Sequence, residues 1–157
     1  MTSMLEINGW NAGIKFSAAH LLFGHDKCGV LHGHTYALHL KIYGEKNSKG
    51  FLLDFGEIKS LLNTIAESLD HRILIPNQSK AVQIKNQTVH VSYDQKQYQF
   101  PREDCVLLPL PQTTVEHLID YILEQVLQKL QPTNNITAIE VGLDEGIGQG
   151  VWKHHAL

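Results

Sequence analysis

The chain is short of several things, and each shortage narrows what it can be. Cysteine is scarce: Cys28 and Cys105 are the only two among 157 residues, too few for the disulfide framework of a small secreted domain. No apolar run approaches the roughly 18 residues of a membrane-spanning helix, and Met1 to Gly13 has neither the basic nor the apolar stretch of a secretory signal. A reduced, cytoplasmic protein with no membrane partner and a free thiol at Cys28 is therefore expected. Basic clusters are missing as well. With 13 Lys and Arg against 16 Asp and Glu, the formal net charge is −3, which gives no charged surface for nucleic acid. There is no H-E-x-x-H pairing to activate water in a zinc hydrolase. Gly146, Gly148 and Gly150 follow an apparent strand without opening a helix, so no dinucleotide cradle is expected. Internal repeats and low-complexity segments are absent.

What is present is enough for one domain over residues 1–157, with 43% hydrophobic residues to build a core. Its chemistry is concentrated between His20 and His34. His32 and His34 flank Gly33, so on an extended chain both rings point to one face. Ile14, Phe16, Ala18 and His20 alternate as one face of an earlier strand. If these strands pair, three imidazoles converge from neighbouring strands, the usual donor set of a catalytic zinc with an open fourth position. Nickel, copper or iron could also bind such a set. Cys28 then lies on the connecting loop, available as a base or nucleophile.

Residues 5–22 read as a strand, with a bulge or bend between Asn8 and Gly13, and residues 32–43 as its antiparallel partner. His34, Tyr36, Leu38, Leu40 and Ile42 share one face of the second strand, and His39 falls on the other. Asp54 caps a helix with the stripe Ile58, Leu61, Leu62, Ile65 and Leu69, which ends at Asp70-His71. Residues 80–100 read as an inserted hairpin turning at Asp94-Gln95-Lys96. Thr113 and Glu116 form a capping box for a second helix, stopped at Gln131-Pro132. Ile136 to Glu145 is a strand, and Val151-Trp152-Lys153 ends the sheet. This order predicts an α+β fold, a four-stranded antiparallel sheet with two helices on one face. Its open edges favour self-association.

Taken together, F-S-A-A-H, C-G-V-L-H-G-H, Leu53-Asp54-Phe55, Leu69-Asp70-His71, T-T-V-E and V-G-L-D-E resemble the 6-pyruvoyl-tetrahydropterin synthase superfamily. The resemblance spans nearly the whole chain outside the hairpin. The C-x-x-x-H-G-H spacing is similar to that of its 6-carboxy-tetrahydropterin synthase branch. The resemblance implies the T-fold, in which trimers close their sheets into a barrel and stack as a homohexamer. It implies zinc on His20, His32 and His34, a proton-transfer group of Cys28, Asp70 and His71, and substrate contacts from Thr113, Thr114 and Glu145. Glu145 would anchor the pterin ring; strand alternation favours it over Asp144, whereas counting back from Val151-Trp152-Lys153 favours Asp144.

The implied reaction is a carbon–carbon lyase step. It takes 7,8-dihydroneopterin triphosphate to 6-carboxy-5,6,7,8-tetrahydropterin, releasing acetaldehyde and triphosphate, early in queuosine or archaeosine biosynthesis. Zinc would polarise the side-chain oxygens, Cys28 would remove a proton, and His71, oriented by Asp70, would shuttle it. Side-chain oxidation matches ring reduction, so no nicotinamide is required. The competing readings are a 6-pyruvoyl-tetrahydropterin synthase, an aldolase-like cleavage of the pterin side chain, and a non-catalytic oligomer that binds zinc or pterin.

Overall fold

The structure is a computed structural model and describes residues 1–131 and 133–157. The strand expected over residues 5–22 is two strands, β1 (Ser3–Ile7) and β2 (Lys15–His20), separated by one helical turn, α1 (Gly9–Ala12). Both pair antiparallel with the same long strand, β3 (His32–Gly44), β1 along its second half and β2 along its first. The Asn and Gly content of residues 8–13 is thus used for a turn. Asn8 caps it, and Gly13 closes it in the left-handed region at φ 72°.

Beyond β3 the chain forms α2 (Phe55–Leu69), β4 (Arg72–Pro76), β5 (Val82–Lys85), β6 (Thr88–Tyr93), β7 (Lys96–Pro101), β8 (Cys105–Leu108), α3 (Val115–Lys129), β9 (Ile136–Glu145) and β10 (Gly150–Ala156). The main sheet has the order β10-β9-β3-β2-β4-β8, with β1 also on β3, so it has seven strands where four were expected. The four antiparallel strands are there, and β4 and β8 extend them in parallel. Residues 82–101 form a separate three-stranded sheet, not a hairpin alone: β5 pairs with β6, and β6 turns into β7 at Asp94-Gln95.

One face of the main sheet is apolar and is covered by α2 and α3. Ile14, Phe16, Leu38, Leu40, Ile42, Ile139, Val141 and Leu143 pack there against Ile58, Leu62, Ile65, Leu118, Ile122 and Val126. These are the stripes read from the helical and strand periods, although Leu61 is only partly buried. Asp54 caps α2 as expected, accepting hydrogen bonds from the Gly56 and Glu57 backbones at 2.8 and 3.1 Å. The cap of α3 is Thr114, not Thr113, with its side chain accepting from the His117 backbone. Glu116 is consequently one place short of the position that a capping box needs. Pro132, read as a helix stop, lies outside the described residues. A second core holds Leu21, Ile75, Val89, Val91 and Cys105 and joins the inserted sheet to β4, β8 and the end of β2.

Candidate active site

The register of β2 on β3 sets His20 directly opposite His32 and Ala18 opposite His34. Side chains alternate, so all three rings stand on the helix-covered face, at the end where the apolar residues stop. Their ring centroids are 4.7 to 5.2 Å apart, and one nitrogen from each lies within 4.8 Å of the others. The His20 Nδ1 donates to the Thr113 carbonyl at 2.8 Å, and the His32 Nδ1 to the Val30 carbonyl at 2.6 Å. A carbonyl can only accept, so both rings carry their proton on Nδ1 and leave the Nε2 lone pair free.

The Nε2 atoms of His20, His32 and His34 are all buried without a hydrogen-bond partner among the described residues. Three converging unpartnered nitrogens, two of them on rings fixed by carbonyls, fit a metal with a nitrogen donor set. Burial, opposed by the Thr113 carbonyl and helped by His32 and His34, lowers the His20 pKa from 6.5 to about 4. The ring is therefore neutral, and ready to ligate, at physiological pH.

Next to the histidines on the same face stand Tyr36 and Glu145, which pair across β3 and β9. Glu145 Oε1 lies 3.2 Å from His34 Nε2, off the line of a hydrogen bond. Burial and then the Glu145 charge push the Tyr36 hydroxyl far above its usual range, so it is a neutral donor in position to meet an acceptor. Asp144 pairs with Ala37 and points to the other face. There it accepts from the Trp10 indole at 2.7 Å and lies 3.2 Å from His39 Nε2. His39 is buried and accepts from the Gly9 backbone at 3.0 Å, an architectural use that matches its assignment to the non-ligand face.

Thr113 is fully buried, and its hydroxyl has no partner among the described residues. Its carbonyl ties β2 to the start of α3, while the Thr114 hydroxyl faces His117 Nδ1 at 2.9 Å. Cys28 lies on the β2–β3 loop, outside the three-histidine group. Its backbone N–H donates to His25 Nδ1 at 2.9 Å, and its carbonyl accepts from Leu22 at 2.8 Å. No sequence pattern marked His25 as the residue that folds this loop.

Asp70 and His71 do form a pair. Asp70 Oδ2 accepts from His71 Nδ1 at 2.8 Å, and Asp70 Oδ1 accepts from the Ser17 backbone at 2.7 Å. That backbone bond, ahead of the His71 contacts, holds the Asp70 carboxyl below its usual range. His71 has φ 55° and is kept there by donating its N–H to the Ser17 carbonyl at 2.7 Å. The pair lies outside the three-histidine group. His71 lines an open groove with Ser17, Ala19, Gly33, His34 and Thr35. Its ring is 84% exposed.

The 6-pyruvoyl tetrahydropterin synthase family model matches residues 11–153. The chain belongs to that family. A Methanocaldococcus jannaschii protein provisionally named a 6-carboxy-5,6,7,8-tetrahydropterin synthase is 42% identical over 152 residues, covering 94% of this chain and 93% of the relative. A Rickettsia conorii protein named 6-carboxy-5,6,7,8-tetrahydropterin synthase is 31% identical over 137 residues, covering 84% and 89%. Among solved structures, 6-pyruvoyl tetrahydropterin synthases from Plasmodium falciparum and Plasmodium vivax superpose with TM-scores of 0.91 and 0.92 at 24% identity, each covering at least 99% of both chains. The fold is thus the T-fold, α+β as expected, and the chain is an enzyme of a family that works on pterin side chains. Among the described residues, no helix is long and apolar enough to cross a membrane.

Proposed function

We propose that this enzyme converts 7,8-dihydroneopterin triphosphate and water to 6-carboxy-5,6,7,8-tetrahydropterin, acetaldehyde and triphosphate, as the 6-carboxy names of its relatives suggest. The observation that carries this reading is the shared face: three unpartnered histidine nitrogens beside a carboxylate. His20, His32 and His34 would hold zinc, which when bound supplies Lewis-acid polarisation of the substrate's side-chain oxygens. Glu145 accepts the N–H groups of the pterin edge, a bidentate role open to a carboxylate and closed to an amide. Thr113 and Thr114, at the mouth of α3, offer hydroxyls to the same ring.

Cys28 removes a proton from the substrate side chain. His71 carries it onward, with its Nδ1–H held by Asp70 and its Nε2 free to accept. Because His71 is exposed in an open groove and stands outside the three-histidine group, it would serve the histidine site of a neighbouring subunit, and the open edges of β8 and β10 are where subunits would join. A homohexamer with shared sites follows, in a reducing cytoplasm that keeps Cys28 free. The product would feed 7-deazapurine nucleoside synthesis such as that of queuosine.

The test is mass spectrometry of the products formed from dihydroneopterin triphosphate by the zinc-loaded protein. The 6-carboxy product with acetaldehyde is expected. A 6-pyruvoyl product, or no turnover, would overturn the assignment.

A further inference from the structure

The three-stranded sheet of residues 82–101 packs on the loop that carries Cys28. Its core is shared with both ends of that loop: Leu21 is buried in it, and Phe23 and Leu31 pack against it with Val89, Val91, Tyr93 and Phe100. The loop's tip, Gly24 to Lys27, is exposed, so its placement depends on what grips its flanks. Local bonds shape it. Gly29 donates to the His25 carbonyl at 2.8 Å, and Cys28 is bonded on both its N–H and C=O sides. The grip from outside comes from two places. Gln112 brackets Phe23, donating to its carbonyl at 2.9 Å and accepting from its N–H at 3.4 Å. Lys96 Nζ donates to the Gly29 carbonyl at 3.3 Å, one peptide beyond Cys28.

Tyr93 closes the contact. Its ring centroid lies 5.3 Å from that of Phe23, and a Cβ at Gly29 would stand 2.5 Å from its hydroxyl and 2.4 Å from the His25 carbonyl. Only glycine allows the loop to lie this close to the inserted sheet. Tyr93 and Lys96 are register partners across the tight turn Asp94-Gln95, so one hairpin end supplies both the packing surface and the ammonium.

We infer that the inserted sheet is a clamp that holds Cys28 in place, with Lys96 as a positioning residue acting through the Gly29 carbonyl. The inference rests on the reading of Cys28 as the proton-abstracting group. A charge-assisted bond to a loop carbonyl is strong enough to decide between a held and a wandering loop, and a small displacement of a catalytic group costs a large share of its rate.

The test compares Lys96→Met, Lys96→Arg and, as a control on the same sheet, Lys85→Met, all zinc-loaded. Amide hydrogen exchange over residues 22–31 reads the clamp without any turnover. Steady-state kinetics with dihydroneopterin triphosphate read its consequence. In Lys96→Met, exchange at Leu22, Cys28 and Gly29 should rise about tenfold or more. The kcat should fall roughly 10- to 100-fold with KM within about twofold, while zinc content stays unchanged. Lys96→Arg, which keeps a cationic donor, should restore both readouts, and Lys85→Met should change neither.

Wild-type exchange in Lys96→Met would overturn the clamp. Faster exchange with unchanged kcat, or a change confined to KM, would overturn the positioning role. If the unsubstituted enzyme forms no product, the functional proposal itself has failed, and the exchange comparison alone then decides whether the clamp exists.

Discussion

Glu145 and Asp144 are neighbours in the chain and face opposite sides of the sheet, which separates their expected effects. Glu145 stands beside His34 and Tyr36, whereas Asp144 is engaged by the Trp10 indole on the other face. Replacing Glu145 with Gln would turn an amide donor toward the pterin's own N–H groups and should cost roughly 2–5 kcal/mol of pterin binding. Asp144→Asn keeps an oxygen for Trp10, so pterin affinity should hold. Titration calorimetry with a pterin distinguishes them, and normal affinity in Glu145→Gln would remove it from the site. Strand alternation was enough to separate the two, because a period of two leaves no intermediate position.

A second expectation at this scale concerns His20, whose pKa in the metal-free protein falls from 6.5 to about 4, chiefly through burial. The unfolded chain binds the proton more readily, so between these values it gains protons that the folded chain refuses. Stability of the metal-free protein is then fully present above about 6.5 and declines as pH falls toward about 4. A urea midpoint that stays flat across that window would contradict this.

Elements with a strong local period were legible, and those defined by distant partners were not. The long strand from His32, the last strand from Ile136 and the helix after Asp54 each carry many alternating or helically spaced residues, and each was located from them. β4 and β8 are runs of five and four residues without useful alternation. Their parallel pairing joins segments separated by the whole inserted sheet, so no local signal could reveal it. The cap of the second helix falls one residue later than the sequence pattern predicts because Thr113 and Thr114 are equally good capping residues, and only tertiary structure decides between them. Thr113 is drawn inward by His20, which leaves Thr114 to cap. Thr114→Ala should therefore cost about 1 kcal/mol of stability. Thr113→Val, which replaces a hydroxyl without a partner, should leave stability nearly unchanged and weaken pterin binding. Equal denaturation midpoints for Thr114→Ala and the parent would show that the cap carries no weight.

At the scale of the whole molecule, the histidine cluster was readable from H-G-H and one matching strand, but the place of Asp70-His71 was not. Sequence order sets the pair among the other site residues, whereas in the fold it stands outside the three-histidine group, with His71 exposed in an open groove beside Ser17, His34 and Thr35. In the function proposed above, this exposed pair would be half of a site shared with another subunit. This makes a sharp expectation for mixed assemblies. Cys28→Ala and His71→Ala should each be nearly inactive alone while retaining zinc. Denatured together in equal amounts and refolded, they should regain about a quarter of the parent rate, since an intact site needs Cys28 from one kind of subunit and His71 from the other, each present at half of the positions. Light scattering should show hexamers before and after mixing. A mixture no more active than its two components would place Cys28 and His71 of one chain in one site, and the exposed groove around His71 would then need another explanation.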